Sequence, residues 1–165
     1  MTWIKAVAGS PQYIPNRAFY QRDHLTMTAD NLRVADIMTR NIKTLDRNDK
    51  LSIADDVMKQ DRIRHMPVLD SDGTLCGIMS QRDLFRGILL RSLGYGSRLE
   101  DKLLESHPVK EAMIENPLTT TPETPAKDAA RMMMEHKVGC LPVVEGDELV
   151  GIITESDFVK MFAQQ

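Results

Sequence analysis

The chain holds 165 residues, 42% hydrophobic and 27% charged, a composition that supports a packed core and argues against a disordered or fibrous chain. Twenty-one basic against 24 acidic side chains give a formal net charge of −3, without the basic footprint of a general nucleic-acid binder. The longest apolar runs, such as Gly87–Leu90 and Leu149–Ile153, are far too short to cross a bilayer, and the N-terminus has no apolar signal core, so the expected setting is the cytoplasm with no membrane partner.

In chain order, residues 1–30 come first and hold Trp3, Tyr13, Phe19 and Tyr20, four of the eight aromatic residues. That share argues for packing on the rest of the chain or on another subunit. A short extended piece follows at Ile42–Leu45, then a helix with an apolar stripe at Leu51, Ala54 and Met58. Two strands, Ile63–Leu69 and Leu75–Met79, are joined by a tight Asp/Gly turn, and a helix starts at Ser80. Gly94 and Gly96 should break that helix, and Ser97-Arg98-Leu99-Glu100 is a capping box that restarts one. The same order then returns. An extended piece at Pro117–Thr120 precedes a helix with Ala126, Ala129, Ala130 and Met133 on one face. Thr124 and Pro125 look like its N-cap and first helical position. Strands at Val138–Val144 and Leu149–Ile153 and a helix from Thr154 complete the copy. Cys76 and Cys140 both fall in strand-like apolar runs and are expected to be reduced core residues.

The two passages are a tandem repeat. A shift of 75 residues pairs Val34 with Val109, Met38 with Met113, Met58 with Met133 and Pro67 with Pro142. Asp70–Thr74 is one residue longer than Glu145–Glu148, so a shift of 74 then pairs Gly77 with Gly151 and Asp83 with Asp157. The expected division is an extension at 1–30, repeat one at 31–93, a linker with a short helix at 94–108 and repeat two at 109–165. Charge is uneven: residues 31–100 carry +2 and residues 101–165 carry −6.

Two paired motifs carry chemistry. Gly77-Ile78-Met79-Ser80-Gln81-Arg82-Asp83 and Gly151-Ile152-Ile153-Thr154-Glu155-Ser156-Asp157 each place a hydroxyl residue three positions before an aspartate, after a glycine on a strand. One reading is a capping box. The other is a ligand site, with hydroxyl and helix N-terminal amides facing phosphate and the carboxylate accepting from a sugar diol. The strand glycine favours the second, because something must then approach the backbone closely. The two can coexist. The second motif is Arg64-His65-Met66-Pro67 and Gly139-Cys140-Leu141-Pro142, where a proline in a strand signals an edge or an interruption. Arg64 and His65 can face phosphate; Gly139 and Cys140 supply no such charge.

These residues resemble CBS domains, cystathionine β-synthase-type repeats that pair as a Bateman module, over about residues 31–163. The resemblance implies an α/β (α+β) fold, a pseudo-twofold tandem pair of CBS βαββα repeats carrying an extra N-terminal segment. It also implies two clefts that take adenosyl ligands: AMP, ADP, ATP or S-adenosylmethionine. By the family pattern Asp83 and Asp157 hold ribose, with Ser80 and Thr154 beside them. Arg64, His65, Met66 and Pro67, and likewise Gly139, Cys140, Leu141 and Pro142, line the cleft near phosphate and base. Ile42, Lys43 and Thr44, and Pro117, Leu118 and Thr119, offer backbone contacts to adenine. Arg82 joins the first cleft, which the charge pattern makes the one for phosphate. The resemblance further implies a homodimer whose output passes to a separate regulated protein.

Competing classes have less to rest on. His24, His65, His107 and His136 are scattered with no local catalytic signature, so no enzyme is expected. No paired His or Cys spacing suggests a metal, and the 11 methionines suit core or interface packing. The main alternative is a protein-interaction or dimerisation module whose clefts stay empty.

Overall fold

A computed structural model describes residues 32–85 and 104–163. The expectations for residues 1–30, for the breaks at Gly94 and Gly96 and for the capping box at Ser97–Glu100 lie outside the described residues. The first described copy contains α1 (Val34–Ile37), β1 (Leu45–Asp46), α2 (Leu51–Asp61), β2 (His65–Leu69) and β3 (Leu75–Ser80), and a helix begins over 81–85. A 3-10 turn at Val109–Glu111 and β4 (Ile114–Glu115) lead into the second copy. There α3 (Ala126–His136), β5 (Cys140–Glu145), β6 (Glu148–Thr154) and α4 (Glu155–Ala163) follow.

The copies share their element order and differ in how their strands pair. In the first, β2 lies between β1, parallel to it, and β3, antiparallel to it. In the second, β5 and β6 pair antiparallel, and β1 is reduced to a single parallel bridge from Thr120 to Val143. Both helices α2 and α3 end on a residue in the left-handed region, Arg62 at φ 54° and Lys137 at φ 56°. Both hairpins turn through a glycine with positive φ, Gly73 and Gly146, where a side chain would be strained.

The segment ahead of each copy crosses to the other. β4 pairs antiparallel with β3 of the first copy, and Thr39 exchanges backbone hydrogen bonds with Ile152 of the second at 2.9 and 3.0 Å. The Val34 N–H donates to Thr124 O and the Val109 N–H to Asp49 O, at 2.9 and 2.8 Å. Side chains follow the backbone. Val34 and Met38 are buried with Ala129, Met133, Leu141, Val143 and Ile153. Leu104 and Val109 are buried with Leu51, Ala54, Met58, Met66, Val68 and Met79. Each hydrophobic core is therefore sealed by the other copy's approach segment.

This exchange corrects the expected helix start. Thr124 and Pro125 each sit one position earlier than expected, because α3 begins at Ala126 with Pro125 as N-cap and no side-chain cap. The Ala126 N–H donates to Leu32 O at 2.7 Å, and the Leu51 N–H donates to His107 O at 3.0 Å in the same manner. A crossing carbonyl satisfies the orphan donor that a capping side chain usually takes. The Thr124 hydroxyl turns back to accept from the Thr121 N–H.

Candidate functional site

Both Gly-hydroxyl-Asp motifs sit where a buried strand meets a helix. In the second copy the Thr154 N–H and hydroxyl donate to Asp157 Oδ2 at 2.9 and 2.8 Å. Lys160 Nζ lies 3.1 Å from Asp157 Oδ1, so both carboxylate oxygens are engaged, and the side chain is 5% exposed. In the first copy the Ser80 hydroxyl makes a short hydrogen bond to Asp83 Oδ2, and the Ser80 N–H donates to the same oxygen at 3.2 Å. The Asp83 N–H returns a bond to Ser80 Oγ at 3.2 Å. Asp83 is half-buried, and among the described residues nothing reaches its Oδ1. Capping is thus real in both copies, and among the described residues Asp83 Oδ1 has no partner.

The helix amides are less available than the sequence suggests. The Gln81 N–H donates to Arg64 O at 2.9 Å and the Glu155 N–H to Gly139 O at 3.2 Å. Those bonds tie each helix start to the residue two positions before a strand methionine or leucine. They also bring Arg64 and Gly139, with His65 and Cys140, to the junction of the copies.

At that junction the copies touch. A Cβ built on Gly139 would lie 3.2 Å from His65 Cε1 and Nε2 and 3.7 Å from Glu155 Oε2. The imidazole of repeat one therefore occupies the space above a glycine of repeat two, with the Glu155 carboxylate beside it. Burial first, then the adjacent Arg64, holds the His65 imidazole below its ordinary value of 6.5, against the pull of Glu155 and Asp83. Cys140 is buried with Ile78, Ile152 and the half-buried Ile42. Burial pushes its thiol up to about 12, reinforced by the Asp83 and Glu155 carboxylates, so it stays protonated and a poor nucleophile. Cys76 and Cys140 are both free.

The remaining candidates divide by face. Met66 and Leu141 are 1% and 0% exposed and point into the two cores, and Pro67 and Pro142 are fully buried. Only main chain is left at these positions to face a ligand. Pro67 sits one residue before the β1 pairing begins at Val68, which is the interruption its missing N–H calls for. Lys43 and Thr44 are exposed, with Lys43 3.7 Å from Asp61, while Pro117, Leu118 and Thr119 are half-buried. Arg64 and Arg82 are exposed.

The strand glycines have a different cause from the one expected. A Cβ on Gly77 would lie 2.6 Å from Met113 Sδ, and one on Gly151 would lie 2.5 Å from Met38 Sδ. What approaches the backbone is a methionine of the crossing segment, the same residue in each copy. No signal in one repeat alone exposes this; the Met38/Met113 and Gly77/Gly151 pairs do so only once the exchange is known. Glu155, a variable position of the motif by sequence, is a further residue at this junction. Among the described residues no group of His, Cys, Asp and Glu could hold a metal ion, and no helix is long and apolar enough to cross a membrane.

Fold and junction define a tandem α/β repeat pair with two equivalent polar ends at the strand-to-helix turns. The family model for the CBS domain matches residues 34–90 and 109–164, and the chain belongs to that family. A CBS domain-containing protein of Dictyostelium discoideum is 32% identical over 131 residues, 78% of this chain and 89% of that protein. Among solved structures, a Vibrio cholerae protein assigned to acetoin utilization (AcuB) is 38% identical, with 81% and 91% of the two chains covered and a TM-score of 0.67. CBSX2 of Arabidopsis thaliana, solved in complex with AMP, is 29% identical, with 80% and 96% covered and a TM-score of 0.65. The chain spans 32% and 53% of two uncharacterized Methanocaldococcus jannaschii relatives and 24% of a homoserine O-acetyltransferase of Methanococcoides burtonii.

Proposed function

We propose that this CBS pair is a non-enzymatic sensor. It binds an adenosyl ligand (AMP, ADP, ATP or S-adenosylmethionine) between its repeats and signals in trans, as a cytoplasmic homodimer, to a separate regulated protein. The observation that carries the reading is Asp83: one carboxylate oxygen is fixed by Ser80 and the other has no partner among the described residues. A ribose diol offers two hydroxyl donors to such a group, and Arg64 and Arg82, both close enough to act on the His65 imidazole, are the cations this copy offers a phosphate. The AMP complex of CBSX2 supports the ligand class.

Hydrogen bonds to a charged group contribute about 1.5–3 kcal/mol, so Asp83→Asn should weaken AMP binding about tenfold or more. Calorimetric titration with parallel melting curves tests this. A variant that melts earlier but keeps full affinity has lost only a cap, and the ribose role falls. A second reading, an interaction module with empty clefts, is favoured by Phe85, Val159 and Phe162, which are 55%, 68% and 66% exposed on the closing helices. Phe85 and Val159 are equivalent positions of the two repeats, so both closing helices offer an apolar side chain at the same place. On that reading the melting temperature is indifferent to every adenosyl compound.

A further inference from the structure

One titratable side chain is lodged between the copies. His65 opens β2 of repeat one, and Gly139 stands immediately before β5 of repeat two. A Cβ on Gly139 would lie 3.2 Å from both Cε1 and Nε2 of the imidazole, so the ring rests on bare backbone of the other repeat. That seat needs glycine at 139; repeat one has Arg64 at the equivalent place. Charged groups act on the ring from both sides. Arg64 precedes it, and Arg82 and Asp83 come from the helix that follows β3. From repeat two, Glu155 Oε2 lies 3.7 Å from the same Gly139 position, and the Cys140 thiol stays protonated. The equivalent of His65 in repeat two is that buried Cys140, so the described residues place a titrating ring at this contact from one copy only.

We infer that His65 is a proton-operated contact between the two repeats: neutral, its ring packs on Gly139, and protonated, it leaves that seat and frees this end of the junction. The inference needs no ligand and goes beyond the sensor reading. Its direction follows from what an imidazolium would meet in the seat. Half-burial strips water from one side of the ring, and two guanidinium groups of its own copy repel an added charge. Glu155 and Asp83 pull the other way and offset only part of this, so the seated ring is held below 6.5. A contact that favours the neutral ring weakens as pH falls below that value. The crossing segments do not depend on it. Thr39 with Ile152, and β4 with β3, pair without His65 or Gly139, so the contact can open while both cores stay sealed.

Proton NMR of the full chain without ligand reads the ring and its seat together. His65→Gln identifies the His65 signal among the four histidines. At neutral pH an Overhauser contact should join the His65 ring to the Gly139 α-protons. It should lose most of its intensity with the midpoint, below 6.5, at which the ring itself titrates. Amide protection at Thr39 and Ile152 should persist through that range. Arg64→Gln should raise the midpoint and Glu155→Gln lower it, each by about half a pH unit. A ring contact that is missing at neutral pH, or that survives full protonation, overturns the inference. A midpoint that neither variant moves overturns it as well. If protection at Thr39 and Ile152 disappears at the same midpoint, the proton unfolds the protein instead of opening one contact, and the inference falls. The ligand reading is untouched by any of these results, because AMP titration tests it separately.

Discussion

Repeat one and repeat two solve the same packing problem with the same atoms and then part company at their polar ends. Val34 and Val109, Met38 and Met113, and Gly77 and Gly151 fill matching places in the two cores. Each aspartate accepts at one oxygen from the hydroxyl and amide three positions before it; Asp157 is 5% exposed with Lys160 at its other oxygen, whereas Asp83 is half-buried and its other oxygen has no partner among the described residues. The comparison teaches that duplication preserved the backbone device and freed the charges around it. One copy buries its aspartate and the other leaves it half-exposed.

The comparison breaks most severely if a crossing segment is spoiled. Val34→Asp buries a charge among Ala129, Met133 and Leu141 and should cost more than about 4 kcal/mol. The loss should fall on the second copy. Hydrogen exchange should show α3 and β5 losing protection before α2 and β2, and Val109→Asp should show the reverse. Equal loss in both copies for both variants would mean the cores are not separable by their seals.

The aspartates come next. Asp157→Asn disturbs a buried carboxylate with three bonds and should destabilise by about 2–3 kcal/mol, against about 1 kcal/mol for Asp83→Asn. Urea midpoints measure the difference, and equal losses would contradict the contrast in burial. A smaller effect follows from Thr120, whose hydroxyl is buried without a hydrogen-bond partner where repeat one has Leu45. Thr120→Val keeps the shape and removes the unpaired group, so it should raise stability by about 1 kcal/mol.

The smallest effect is on pH. His65 is held below its free value of 6.5, so the unfolded chain binds more protons between the two values. Stability should therefore fall as pH drops through 6.5 and level off below the folded value. His65→Gln should flatten that segment of the curve, and an unchanged slope would remove His65 as its source.

Much of this was legible beforehand, and the residues show why the rest was not. The register of 75 and 74 residues, the hairpins and the paired Ser80/Asp83 and Thr154/Asp157 motifs need only local chemistry and repetition. Which copy a lead-in segment serves is invisible, because Val34 and Val109 fit either core equally well by sequence. The α3 start shifted by one residue for the same reason: a carbonyl from Leu32 took the capping role that Thr124 was expected to fill. The strand glycines looked like a ligand's footprint because a methionine from a distant segment leaves the same mark. Glu155 was passed over as a variable position, and only its nearness to Gly139 and His65 gives it weight.

The exchanged segments also set an order of events in synthesis. The first copy can close its sheet once β4 at Ile114–Glu115 has been made. Thr39 must wait for Ile152, more than a hundred residues later, before its edge is paired. Val34 and Met38 therefore have their partners Ala129 to Ile153 only after most of the chain has been made, which puts the docking of 34–39 late in folding. A chain stopped before β6 would leave the Thr39 edge unpaired.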